Sequence, residues 1–221
     1  MPRASPPGDP PPLVDAWDDY WTSVRDHLGS GPGAFAQWAV PHLLRAPGRK
    51  LLELGSGAGR ELVFFLVSGF SAEGIDCSPV AVSLTEGLLE HLDPELRARS
   101  SVARGTVPDA LATRSASSVD SVVGIVLYET LTTAEFERTL TEVHRILRPG
   151  GIHAWSVRSE NYARRDHPEL IPPNRGIPGA TIERRFFTPQ MTEFAQSVGF
   201  ERLASEESSE THYLYVADRK R

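Results

Sequence analysis

The residues whose types and spacing could do chemistry begin with Leu51-Leu52-Glu53-Leu54-Gly55-Ser56-Gly57-Ala58-Gly59-Arg60-Glu61. An apolar run ends in an acid and then breaks into three glycines at alternate positions, which reads as a buried strand giving way to a turn and a helix. Glycines there let the backbone take positive φ and approach a ligand closely. The free amides and the dipole of the new helix favour an electron-rich or anionic group. A nicotinamide or flavin fingerprint would run G-x-G-x-x-G against a pyrophosphate. Here Arg60 stands where that third glycine belongs, and Glu53 is a poor neighbour for a pyrophosphate. The pattern suits a ligand with an amino-acid moiety and no phosphate. Asp76 follows about 20 residues later, the place of a ribose-binding acid on the adjacent strand. A carboxylate accepts from two vicinal hydroxyls through charge-assisted bonds. The other reading of Asp76 is a cap for the helix opened by Ser78-Pro79. Glu129 also has two readings, a general base for an acceptor or a cap for the helix after it.

The elements that must position these residues can be read in order. Residues 1–12 form a proline-dominated leader without apolar periodicity. Helices are predicted over Leu13 to His27 and Ala34 to Leu44, a helical cap spanning 13–47. Residues 48–221 form the main domain. Its strands are predicted at Leu51–Leu54, Ala72–Ile75, Ala98–Ala103, Val119–Leu127 and Ile152–Val157, then near Arg202–Glu206 and Tyr213–Ala217. Helices are predicted over Arg60–Val67, Pro79 to about His91, Ala134–Leu147 and Thr188 to about Val198, with Thr188 capping the last. Phe136, Leu140, Val143 and Leu147 share one face of the third of these. Strands alternating with helices predict an α/β, doubly wound, mainly parallel sheet.

Composition narrows the function classes. A formal charge of -6 and a pI near 5.7 supply no basic footprint for nucleic acid. The single cysteine, Cys77, excludes an internal disulfide and fits a reducing cytosol. The longest apolar run, Leu62 to Val67, is far shorter than a membrane span. A cytoplasmic protein is expected, monomeric or homodimeric.

Four motifs in register carry a family resemblance. Glu53-Leu54-Gly55-Ser56-Gly57-Ala58-Gly59 resembles motif I of the class I S-adenosylmethionine-dependent methyltransferases. Gly74-Ile75-Asp76 is similar to the acid that ends their second strand. Asp120-Ser121-Val122-Val123 resembles the opening of their fourth strand, and Leu147-Arg148-Pro149-Gly150-Gly151 the turn before their fifth. A weaker likeness, through Ser156-Val157-Arg158-Ser159 and Arg185-Phe186-Phe187-Thr188, points to the tellurite-resistance and thiopurine neighbourhood. The resemblance implies a seven-stranded Rossmann-like sheet with S-adenosylmethionine as the only cofactor. It implies that Glu53 anchors the amino-acid end, that Asp76 bonds the ribose, and that Gly55, Ser56, Gly57, Gly59 and Arg60 line the turn. Cys77 and Ser78 would lie near the adenine, with Thr106 and Val107 lining its pocket. Many relatives have Gly-Asp after the third strand, where this chain has Gly105-Thr106, and Asp109 is a loose substitute. Gly124, Ile125 and Val126 would run beneath the sulfonium. Trp17, Tyr20 and Trp21 resemble the aromatic-acidic opening of small-molecule relatives, set over the cofactor and suited to cation-π attraction.

Acceptor contacts are expected from Tyr128 and Glu129, both candidate catalytic residues. Arg158 and Tyr162 are expected from the long irregular stretch 158–187, a candidate acceptor loop. No metal is expected, because the end of the fourth strand offers no carboxylate pair. His153 reads as a packed histidine and His144 as a solvated one. The resulting expectation is methyl transfer to an O, N or S atom of a small molecule. Alternatives are an RNA or protein methyltransferase, aminopropyl transfer, or a non-catalytic binding module on the same fold.

Overall fold

The computed structural model describes residues 13–24, 31–159, 189–210 and 212–221. Seven strands form one sheet in the order β3-β2-β1-β4-β5-β7-β6. These are β1 (Lys50–Leu54), β2 (Ser71–Asp76), β3 (Ser100–Arg104), β4 (Val119–Ile125), β5 (Leu147–Arg158), β6 (Phe200–Glu207) and β7 (Tyr213–Lys220). The first five run parallel, and β7 is antiparallel to both neighbours. The strand order reverses between β1 and β4, so the carboxyl ends of these two strands flank the crevice where such sheets bind ligands.

Helices cover both faces, as strands buried on both sides require. On one face α2 (Ala34–Leu43) and α3 (Arg60–Val67) pack Phe35, Leu43, Phe65 and Leu66 against Leu51, Val123 and Tyr215. Helix α4 (Pro79–Glu90) adds Leu89 to the same cluster. On the other face α7 (Thr133–Ile146) inserts Phe136, Leu140 and Val143 among Leu52, Val122 and Trp155. There it is joined by Met191 and Ala195 of α8 (Pro189–Ser197). Two short helices, α5 (Pro94–Arg97) and α6 (Asp109–Ala112), and a 3-10 turn at Tyr128–Thr130 lie between the elements read from the sequence. Helix α2 therefore belongs to the flanking layer. Helix α1 (Leu13–Val24) has its own small apolar cluster and lies against α4.

Thr132 begins α7 with a reciprocal capping box. Its hydroxyl accepts from the Glu135 N–H, and the Glu135 carboxylate accepts from the Thr132 N–H at 2.8 Å. That settles one alternative, because Glu129 does not cap this helix. At the amino ends of the strands Asp120 is buried and accepts from the Lys50 N–H at 3.0 Å and Arg148 Nη1 at 2.8 Å. A Cβ on Gly48 would lie 2.4 Å from that carboxylate, so position 48, two residues before β1, must be small. Strand β5 is longer than the predicted Ile152–Val157, and α8 begins at Pro189; the expected Thr188 cap lies outside the described residues. Among the described residues no helix is long and apolar enough to cross a membrane.

His153 is fully buried on β5, with its Nε2 2.7 Å from the Tyr128 hydroxyl, and it stacks on Trp155. Burial, aided by Arg202, pushes its pKa down to about 3. His144 is half-buried rather than solvated, edge-on to Phe200. The linkage sign for His153 follows directly. Between pH 6.5 and 3 the unfolded chain binds a proton on this residue that the folded chain refuses, so the stability it supports is lost as pH falls. The wild type should lose stability relative to His153→Gln by up to about 1.4 kcal/mol per pH unit across that window. Urea melts of the two proteins at pH 7, 5.5 and 4.5 measure the difference; a constant gap refutes the assignment.

Candidate functional site

The glycine turn closes the crevice at β1. Gly55, Gly57 and Gly59 adopt φ of 68°, 54° and 81°. The Gly55 and Ser56 amides both donate to the Ile75 carbonyl, at 2.8 and 3.0 Å, which ties the turn to β2. Thr85 of α4 donates its hydroxyl to the Gly57 carbonyl at 2.8 Å. A Cβ on Gly59 would meet Thr85 at 2.8 Å, and one on Gly57 would meet the Trp21 ring at 2.5 Å. These two glycines are thus required by conformation and by space. Ser56 is buried with its hydroxyl unpartnered, and it packs where a side chain on Gly74 would stand. Arg60 is exposed and turned to Glu61 at 2.5 Å.

Two acids stand behind the turn. Asp76 accepts from the Gly57 N–H at its Oδ2 and from the Ser78 N–H at its Oδ1, both at 2.9 Å. Burial pushes its pKa up, while backbone bonds from Ser78, Gly57 and Cys77 pull it down. Asp76 is not the helix cap. That role belongs to Ser78, whose side chain accepts from the Ala81 N–H. Glu53 is 2% exposed, and its Oε2 has no hydrogen-bond partner. Burial drives its pKa well up, and the charges of Glu61 and Asp76 push the same way. A buried carboxylate oxygen without a donor is costly unless a ligand supplies one.

Helix α1 covers this turn. Trp17, Tyr20 and Trp21 pack edge to face, with centroids 5.7 and 5.0 Å apart along the series. Asp18 anchors the helix, accepting from the Ser78 hydroxyl and, at 3.4 Å, from the Val80 N–H. Ser78 therefore bonds Asp76 through its amide and Asp18 through its hydroxyl.

At the carboxyl ends of β4 and β5 the expectations divide. Tyr128 does not face an acceptor. It is wholly buried, bonded to His153 and packed edge-on to Phe136 and Trp155, and burial raises its pKa strongly. Gly124 makes room for that ring, since a Cβ there would lie 2.6 Å from it. Glu129 is also wholly buried. Its Oε2 accepts from the Arg158 N–H at 3.2 Å, and its Oε1 lies 3.4 Å from Arg158 Nε. Arg158 also donates to the Tyr213 hydroxyl at 3.1 Å and lies over that ring. Ile125 and Val126 are half-buried between these groups and the turn. Tyr162, and the loop 158–187 beyond Ser159, lie outside the described residues.

Of the two residues expected to line an adenine pocket, Thr106 is exposed and Val107 is buried in the core with Ile75 and Leu111. Asp109 does not replace the missing acid, because its carboxylate is on the surface, paired with Arg138 at 3.0 Å. Burial pushes the Cys77 thiol up to about 11, so it is no thiolate nucleophile. Among the described residues no group of three or more histidines, cysteines or acids could hold a metal. The sequence reading missed Thr85, Asp18 as an anchor, and Leu127, whose Cδ1 lies 3.3 Å from where a Cβ on Gly55 would be. Asp18 had a signal, an acid within an aromatic helix; Thr85 and Leu127 had none.

Comparison with known proteins agrees with this geometry. Residues 51–151 match the protein family described as "Methyltransferase domain". An uncharacterized methyltransferase of Synechocystis sp. is 31% identical over 127 residues, which are 56% of this chain and 54% of that protein. The chain thus matches about half the length of that curated relative. Two solved structures share the fold. The 1,6-didemethyltoxoflavin-N1-methyltransferase of Burkholderia thailandensis, with its acceptor and S-adenosylhomocysteine bound, superposes with a TM-score of 0.66 at 20% identity, over 99% of this chain and 93% of that one. The [4+2]-cyclase SpnF superposes with a TM-score of 0.69 at 16% identity, over 93% of each chain. Residues 51–151 thus match the methyltransferase-domain family, and the chain has the class I S-adenosylmethionine-dependent methyltransferase fold.

Proposed function

We propose that this chain binds S-adenosylmethionine at the glycine turn and transfers its methyl group to an O, N or S atom of a small molecule. The observation that carries the reading is the Glu53 carboxylate, buried behind the turn with one oxygen unpartnered. An amino-acid ammonium supplies the missing donor and the compensating charge, and a pyrophosphate supplies neither. The fold alone would not suffice, since SpnF on the same fold is named a cyclase. When bound, the cofactor supplies an activated methyl group open to in-line displacement.

The residues then divide the work. The Asp76 oxygens, each oriented by one backbone amide, have lone pairs left for two ribose hydroxyls. Helix α1 lays the Trp21 indole on the turn, excluding water and presenting an aromatic face to a sulfonium. The acceptor end lies at the Glu129–Arg158 pair, where β4 and β5 finish. There Glu129 serves as counter-ion to Arg158 and fixes its backbone, and Arg158 faces the acceptor. The acidic composition favours a small molecule over a nucleic acid. So does the toxoflavin precursor on which the Burkholderia enzyme acts, through a chain of nearly the same length.

Calorimetry should show one S-adenosylhomocysteine bound per chain, and no heat at millimolar ligand overturns the cofactor assignment. Asp76→Ala should weaken that binding at least tenfold, about 1.4 kcal/mol or more. The affinity should also fall as pH drops through the raised pKa of Glu53, because protonation removes the charge that meets the ammonium. Glu53→Gln should bind weakly and without this pH dependence; a Glu53→Gln protein that keeps the wild-type profile refutes the role.

Glu129→Gln breaks a buried pair and should cost about 3 kcal/mol of stability in urea melts. Its S-adenosylhomocysteine affinity should stay within about twofold of wild type. Unchanged melting together with lost turnover would give Glu129 a base role instead. Turnover is found by screening thiols, phenols, amines and carboxylates for methyl label by mass spectrometry.

A further inference from the structure

Val126, the residue that leaves β4, has φ of 56°, in the left-handed region. For a β-branched side chain this is a true outlier, because Cβ crowds the following carbonyl. Among the described residues the other non-glycine positions with positive φ are Ser117 and His212, neither of them β-branched. Such strain persists only where the surroundings over-determine it, and it gathers at ligand sites.

The surroundings here can be named. The Val126 N–H is shared between the carbonyl and the hydroxyl of Ser156, at 3.2 and 3.1 Å. Ser156 is 1% exposed on β5, where its neighbour in the ladder is Ile125. On the far side of the corner the Tyr128 ring fills the space that Gly124 leaves, locking the chain two residues after the strained one. Between the two locks comes Leu127. Its side chain lands on Gly55, the first glycine of the turn and close in sequence to Glu53. The reversal at Val126 thus converts the end of β4 into an apolar wall against the ligand turn.

We propose that Ser156 is a positioning residue: it holds Val126 left-handed, so that the Val126–Leu127 corner forms the floor of the donor site at Gly55. The inference rests on the donor reading given above. It also accounts for a buried hydroxyl on a strand where, His153 apart, the neighbours at that depth are the apolar Ile152, Ala154, Trp155 and Val157.

The test is a cycle of Ser156→Ala and Val126→Gly, read by calorimetry with S-adenosylhomocysteine and by melting temperature. In the wild-type background Ser156→Ala should weaken binding five- to tenfold, with little change in melting temperature. Glycine visits the left-handed region freely, so in the Val126→Gly background the same Ser156→Ala change should cost less than twofold. A merely structural serine would cost the same in both backgrounds, and that result overturns the proposal. So does Ser156→Ala binding within twofold of wild type. If the wild type itself gives no heat, the donor reading fails first; if the wild type binds and the cycle is additive, only the role of Ser156 falls.

Discussion

The Asp76 carboxylate is the joint on which the site depends. One oxygen holds the Gly57 N–H and the other the Ser78 N–H, so one side chain sets the ligand turn after β1 against the helix start after β2. Bonds from backbone amides to a carboxylate are of the stronger, charge-assisted kind. They offset part of the cost of burying the charge, which is why the pKa of Asp76 is pulled in both directions. Through Ser78 the joint extends to Asp18 and so to α1. The covering helix, Asp76 and the glycine turn are held by one short chain of hydrogen bonds.

The same joint fixes the electrostatic character of the crevice. Glu53, Glu61 and Asp76 stand close enough that Glu61 and Asp76 both raise the pKa of Glu53, while Arg60 lowers it. A helix start alone would attract an anion. Here the acids behind it reverse that preference at one end. The turn therefore favours a ligand with a cation near Glu53 and hydroxyl donors near Asp76. A dinucleotide could offer ribose hydroxyls to Asp76, but it would bring an anionic pyrophosphate and no cation to the turn beside Glu53.

Sequence periodicity made the parallel sheet legible, because buried parallel strands appear as short apolar runs and their glycine and proline boundaries are chemical. The glycine turn was legible for the same reason: Gly57 and Gly59 have both a conformational and a steric need, and no other residue meets both. Tyr128 was misread, since a tyrosine beyond a strand end looks like a substrate group until Gly124 is seen to open a slot for it. Glu129 read equally well as a cap because Thr132 and its box lie only a few residues later. Asp109 was too loose a substitute, and its pairing with Arg138 depends on α7, far along the chain. The strain at Val126 had no signal at all. Valine is a good strand residue, and only the Ser156 hydroxyl across the ladder reveals that it is held elsewhere.

The donor and acceptor ends differ in this respect for a physical reason. The donor end is built from contiguous loops, residues 53–60 and 76–78, so its chemistry is written as motifs. The acceptor end proposed above is assembled across the sheet: Glu129 follows β4, Arg158 ends β5 and Tyr213 begins β7. Ser159 and Glu207 extend the cluster, bonded at 2.7 Å where β6 ends. It is the antiparallel insertion of β7 beside β5 that brings the start of β7 to the carboxyl end of the parallel strands. Recognition at that end therefore depends on pairing between segments up to 84 residues apart, as Glu129 and Tyr213 are. Substitutions there leave every donor motif intact, in keeping with a fold that carries both an N1-methyltransferase and a [4+2]-cyclase.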